Sequence, residues 1–180
     1  MKVAIVIGHE ERAQGAVNKS SGLTEFKFNT DLACRVHQLI DGVDGIESVV
    51  VFRDNGYEQL PYDINRTGSD VAIELHCNAF NEQAKGCETL YWGTSKNGKL
   101  LAQNIQQSMV ELFKPMSDRG IKPKGNGDRG ASVLRKTSMP CVILEPLFID
   151  NDKDLEYANA NFDNLAHSIV YGLINYKAEL

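Results

Sequence analysis

The sequence predicts an α/β fold: a single domain built on a twisted, mostly parallel sheet flanked by helices on both faces. Three observations lead there. Apolar runs of strand length recur at residues 3–7, 49–52, 71–75 and 141–144, and they are continuous rather than alternating, as in strands covered on both sides. Helical periodicities fall between them, and strands alternating with helices are the mark of a sheet with crossover connections. At 180 residues and 42% apolar, the chain can bury one sizeable core and needs no second, so residues 1–180 are read as one domain.

The first run, Val3 to Ile7, is too short for a signal-peptide core and no small-residue cleavage site follows it, so it is the first strand. On this reading the protein is synthesised in the cytoplasm without a signal peptide. In the first helix Phe28, Leu32, Val36, Leu39 and Ile40 fall on one stripe, with Thr24 as N-cap and Gly42 just past the end. Residues 49–52 and 71–75 supply two further strands. The next helix covers residues 97–113, with Leu100, Leu101, Ile105, Met109 and Leu112 as its apolar face and Pro115 beyond it as the stop. Residues 114–130 contain Pro115, Pro123, Gly120, Gly125, Gly127 and Gly130 and read as a loop. The strand at 141–144 ends in Glu145, a short helix follows at 152–158, and the last helix runs over 161–176 through Phe162, Leu165, Ile169 and Leu173. No run approaches the roughly 20 apolar residues of a membrane span, so membrane insertion is not expected.

The net charge of −5, with Lys and Arg scattered along the chain, argues against a nucleic-acid-binding surface, which needs a basic stripe. Cys34, Cys77, Cys87 and Cys141 form no CxxC pair and sit within or beside apolar segments. They read as reduced thiols of a protein made in a reducing compartment.

In open parallel sheets, ligands bind beyond the carboxyl ends of the strands. His9, His76 and Glu145 all follow or close apolar runs and so fall at that edge, while Glu25 arrives from the start of the first helix. Taken alone, His9 reads more readily as a turn histidine, and Glu25 as a favourable charge at a helix N-terminus. His76, at the mouth of a buried strand with Asn78 two residues on, points more directly to a site. Glu145 is the strongest single signal, because a carboxylate ending an apolar strand is costly unless paired or used. Two imidazoles and one carboxylate are the ligand set of a catalytic zinc that keeps a position open, and Glu145 is then available as general base for metal-assisted hydrolysis. Glu74 shares a sheet face with His76 by period two, which makes it a support for that histidine or a rival ligand. Glu10 and Glu11 are read as rim charges, and His37 and His167 as surface or satisfied structural histidines. The spacing of these residues matches no short metal motif, so residue chemistry alone reaches a metallohydrolase and stops before the substrate.

Further motifs run along the whole chain: Gly8-His9, Gly15-Ala16 and Glu25; Phe52-Arg53-Asp54 and Arg66; Leu75-His76-Cys77-Asn78-Ala79; Gly86-Cys87-Glu88-Thr89-Leu90-Tyr91; Arg119-Gly120-Ile121-Lys122. The last and most specific stretch joins Val133-Leu134-Arg135-Lys136-Thr137-Ser138-Met139-Pro140 to Leu144-Glu145-Pro146-Leu147-Phe148-Ile149-Asp150-Asn151. In these the chain resembles the zinc-dependent N-acetylmuramoyl-L-alanine amidases, which include bacterial cell-wall amidases and phage endolysin catalytic domains. The resemblance implies one Zn2+ ion held by His9, Glu25 and His76 at the C-terminal ends of the strands, with Glu145 as the catalytic glutamate. Asn78, Glu88 and Arg135 become candidates for contacts to the ligands or to substrate. The chain departs from the family in carrying Glu10-Glu11 where a glycine-rich step is usual and Glu74 where a small residue is usual.

The implied reaction cuts the amide between N-acetylmuramic acid and L-alanine in peptidoglycan, in the manner of a phage endolysin acting on the wall after release. The negative charge does not favour adhesion to an anionic wall, so a separate wall-binding module or subunit is expected. Two alternatives stay open: a related zinc hydrolase of another acyl-amino acid amide, and a non-catalytic wall-binding module.

Overall fold

The four apolar runs lie side by side in one six-stranded sheet, from one edge to its middle. The computed structural model describes residues 1–180. Its elements are β1 (Lys2–Ile7), α1 (Glu25–Ile40), β2 (Glu47–Val51), α2 (Leu60–Arg66), β3 (Val71–Leu75), β4 (Cys87–Trp92), α3 (Lys96–Leu112), β5 (Asp118–Lys124), α4 (Ala131–Lys136), β6 (Cys141–Glu145), α5 (Asp152–Ala160) and α6 (Phe162–Ala178). Strands β2, β1, β3 and β6 are mutually parallel, β4 pairs antiparallel with β6, and β5 runs parallel to β4.

The central strands are apolar but for Glu74 and the terminal Lys2 and Glu145, because both faces are covered. Val3, Ile5, Ile7, Ile73, Leu75, Val142 and Leu144 belong to the larger core under α1, α3 and α6, while Ala4, Val6, Ala72 and Ile143 alternate with them in a smaller core on the other face, under α2 and α4. Each such Leu or Ile, fully buried, stabilises the fold by about 1.5–3 kcal/mol. Helix α6 lies against α3 so closely that a Cβ on Gly172 would sit 2.6 Å from Ile105 Cα.

The first helix begins where its cap directs. Thr24 Oγ1 accepts from the Lys27 N–H at 3.3 Å, which makes Glu25 the first helical residue. The stretch at 114–130 is a correction to the sequence reading, because it contains β5. This edge strand pairs on one side only and is largely exposed or half-buried, so it needs no apolar run and tolerates Pro123. Strand β4 and the short helices α2 and α4 also lack an apolar run long enough to announce them.

Candidate metal centre and active site

At the carboxyl edge of the parallel strands the backbone is knitted across β1, β3 and β6: the Gly8 N–H donates to Leu75 O at 2.8 Å, and the His76 N–H to Leu144 O at 2.9 Å. His9 follows β1 in the left-handed region, with φ of 69°, a conformation that non-glycine residues adopt sparingly and mostly at special sites. Gly15 is required opposite it. Its φ is +76°, and a Cβ there would lie 2.6 Å from Glu25 Oε2 and 2.7 Å from the His9 ring.

Glu25 is buried and accepts a backbone N–H on each oxygen, Ala16 N to Oε2 at 3.1 Å and Cys77 N to Oε1 at 2.9 Å. The remaining acceptor capacity faces the imidazoles: His9 Nε2 lies 3.1 Å from Oε2 and His76 Nδ1 lies 2.9 Å from Oε1. One nitrogen from each ring and a carboxylate oxygen all fall within 4.8 Å of one another. Ligands about 2.0–2.2 Å from one tetrahedral ion stand about 3.4 Å apart, so this group of donors fits a single metal ion of the zinc type. The two rings meet edge to face with centroids 5.1 Å apart.

The electrostatics fit a cation as well. Burial opposes ionisation of Glu25, but hydrogen bonds from His76 and His9 and the Cys77 amide outweigh it and hold the carboxyl well below its usual range. Burial likewise lowers His76, and the carboxylates of Glu74, Glu25 and Glu145 overcome it, raising the imidazole to about 10. Without a cation, protons carry the positive charge that this cluster of acids demands.

Glu145 closes β6 at the floor of a cavity of about 420 Å³ whose walls include His9, His76, Arg53, Tyr57, Lys124 and Arg129. Its Oε2 is buried with no hydrogen-bond partner. Desolvation pushes its carboxyl up to about 8, against the lowering influence of His76 and Arg129 and with Glu25 and Glu88 adding to the rise. A carboxyl raised in this way is suited to proton transfer near neutral pH.

These observations place a partnerless acceptor beside a group of donors that could hold a metal ion, and the comparison with known families decides the lineage. The family model described as N-acetylmuramoyl-L-alanine amidase matches residues 3–175.

The chain belongs to the N-acetylmuramoyl-L-alanine amidase family.

It is 27% identical over 177 residues to the N-acetylmuramoyl-L-alanine amidase LytC of Bacillus subtilis, covering 94% of this chain and 34% of that protein. It is 33% identical over 116 residues to an endolysin of Bacillus phage SPP1, covering 64% of this chain and 42% of the phage protein. The chain thus spans well under half the length of these two relatives. Among solved structures, an N-acetylmuramoyl-L-alanine amidase from Clostridium difficile 630 superposes with a TM-score of 0.88 at 28% identity, covering 98% of this chain and 96% of that one. The catalytic domain of the CD27L endolysin, which targets Clostridia difficile, gives 0.82 at 26% identity, with 97% of each chain covered.

Within this amidase fold, the other residues singled out from sequence separate into two groups. Asn78 and Glu88 reach the cavity, with Asn78 Nδ2 donating to Glu88 Oε1 at 3.0 Å and Arg119 Nε to Glu88 Oε2 at 2.8 Å. Glu88, the second residue of the antiparallel β4, is in register with Glu145, so it reaches this edge by its strand's start. Glu74 lies one pleat below His76, with Oε1 3.2 Å from Nε2. Arg135 is exposed and lines a different groove with Trp92 and Pro140; the arginine that faces Glu145 is Arg129, from the loop before α4. Its one signal in the sequence is a charged pair, Asp128-Arg129, held between Gly127 and Gly130. Arg53 and Tyr57 were equally unmarked as site residues; they follow β2, whose carboxyl end lies at the same edge. His37 and His167 stay structural, bonded to Ser48 Oγ at 2.7 Å and Asp163 O at 2.8 Å.

Proposed function

We propose that residues 1–180 form a single catalytic domain that hydrolyses the amide between N-acetylmuramic acid and L-alanine in peptidoglycan, as a zinc-dependent lytic enzyme of the endolysin type. The observation that carries this reading is the convergence of His9, Glu25 and His76 within 4.8 Å, with both histidines lining the cavity that holds Glu145, whose buried Oε2 has no hydrogen-bond partner. His9 Nε2, Glu25 and His76 Nδ1 would hold the ion. When bound, zinc supplies Lewis acidity, which acidifies water and polarises a carbonyl oxygen.

The chain's own groups do the rest. Glu145, raised by burial, accepts the proton of the attacking water and delivers it to the leaving amine of L-alanine. The Cys77 and Ala16 amides fix the Glu25 carboxylate and keep its free lone pairs turned toward the imidazoles. On cavity walls that also carry Glu88 and Asp128, Lys124 and Arg129 offer cationic groups suited to the carboxylates of a stem peptide.

A net charge of −5 does not draw this chain to an anionic wall. A wall-binding module or subunit is therefore the partner we assign, and the place of action is the cell wall. No helix is long and apolar enough to cross a membrane. The test is digestion of purified peptidoglycan while following new L-alanine amino termini. The parent chain is expected to release them and Glu145→Gln is not; release of reducing sugar ends instead, or no release, would contradict the reading.

A further inference from the structure

Glu74 takes no part in the proposed reaction, yet it is the most completely buried charged side chain beside the site, with no exposed surface. It stands on the smaller core's face of β3, where its sheet neighbours Ala4, Val6, Ala72 and Ile143 are apolar. An ionised carboxylate in such a place is costly unless it is paired and hydrogen-bonded. Two groups answer it at Oε1, while Oε2 has no hydrogen-bond partner. His76 Nε2 lies 3.2 Å from Oε1, and Arg53 Nη2 lies 3.9 Å from the same oxygen. Arg53 is itself nearly buried, 11% exposed, and its guanidinium stacks over the Tyr57 ring at 5.1 Å.

The His76 ring is thereby gripped at both nitrogens, by Glu74 at Nε2 and by Glu25 at Nδ1, 2.9 Å away. Its edge is also enclosed, since a Cβ on Gly8 would fall 2.8 Å from both Cδ2 and Cε1. In a neutral imidazole one nitrogen carries the proton and the other offers the lone pair, and the partner of the first decides which is which. Glu74 Oε1 can only accept. The metal-ligand group is made of His9, Glu25 and His76 without Glu74, so Glu74 stands behind the histidine and is no rival for the ion.

We infer that Glu74 is a positioning residue, which keeps the proton on His76 Nε2 so that Nδ1 presents its lone pair to the metal, with Arg53 as the buried counter-charge. The inference rests on the metal-hydrolase reading above. Such carboxylate–histidine–metal arrangements orient the ring and increase its basicity as a ligand, and their loss typically weakens metal binding by about 10–100-fold.

The experiment measures zinc affinity by competition with a chromophoric chelator for the parent chain, Glu74→Ala and Glu74→Gln, with circular dichroism of each metal-free protein. Glu74→Ala is expected to bind zinc about 10–100-fold more weakly while retaining its fold, and Glu74→Gln, whose amide oxygen still accepts from Nε2–H, to fall between it and the parent. Unchanged affinity in a folded Glu74→Ala would overturn the inference alone. Long-range proton–nitrogen correlation NMR on the zinc-loaded parent needs no variant. It is expected to show His76 protonated at Nε2, and a ring protonated at Nδ1 would overturn the inference even if both variants fail to fold. A parent chain that takes up no zinc would overturn the metal-hydrolase reading and this inference together.

Discussion

Glu25 Oε1 and His76 Nδ1 meet at 2.9 Å across 51 positions of sequence, and the pair has the charge of an ion pair waiting for a cation. His76 is raised to about 10 and Glu25 is held below its usual range, so at neutral pH the imidazole is protonated and the carboxylate is not. A metal ion at this site must displace that proton. Calorimetric zinc titration at pH 7 in buffers of different ionisation enthalpy is expected to show at least one proton released per ion bound, with affinity rising as pH rises toward 10. Binding heats independent of buffer would contradict this account.

The same pair sets the pH dependence of the metal-free fold. A histidine raised from 6.5 to about 10 contributes stability that is fully present below pH 6.5 and lost as pH rises through 10. Glu145, raised from 4.5 to about 8, acts in the same direction, since its ionisation in the folded state is the costlier one. Glu25, lowered, contributes stability that is lost only as pH falls well below the ordinary carboxylate range. The Tm of the metal-free protein, followed by circular dichroism, is expected to decline from pH 6.5 to 10, with added zinc offsetting the decline.

Glu145→Gln preserves shape and removes the proton acceptor. Turnover of peptidoglycan is expected to fall by about 10²–10⁴-fold, the usual contribution of a general base, with zinc affinity close to that of the parent. Equal loss of zinc would place Glu145 among the ligands instead.

For the parent enzyme the acid limb of kcat/KM should lie above the ordinary carboxylate value of about 4.3, because desolvation raises Glu145. A cation held nearby favours the ionised form, so the limb should fall below 8. A pH–rate profile from 4 to 9 locates it, and a limb at the ordinary carboxylate value would remove Glu145 from the role.

Gly15→Ala tests the approach of the first loop. The φ of +76° and the 2.6 Å contact with Glu25 Oε2 mean that a methyl group must displace the ligand carboxylate or the His9 ring, so weakened zinc binding in a folded protein is expected. Gly172→Ala, by contrast, drives α6 away from Ile105 on α3. Overpacking of that kind costs about 1–3 kcal/mol, read as a lower Tm with zinc affinity retained.

The parallel half of the fold was legible because strands covered on both faces are apolar throughout, as in Val3 to Ile7 and Cys141 to Leu144. The antiparallel edge was not. Strand β5 pairs on one side and carries Asp118, Arg119 and Lys122, so nothing in its composition distinguishes it from a loop. The candidate ligands and Glu145 could be picked out because polar residues at the ends of buried strands stand against an apolar background. Arg129 could not, because an exposed charged residue in a glycine-rich loop reads as solvated, and only the folded chain puts it on the wall of the cavity that holds Glu145. For Glu74, period two placed it beside His76 but left open whether it ligates or supports, which depends on the nitrogen it faces.

The most direct test of the central claim is mass spectrometry of purified peptidoglycan treated with the protein, with a zinc chelator, and with the chelator followed by excess zinc. The account requires free stem peptides beginning at L-alanine that vanish on chelation and return with zinc. An intact wall, cleavage at another bond, or stem-peptide release indifferent to the chelator would contradict it.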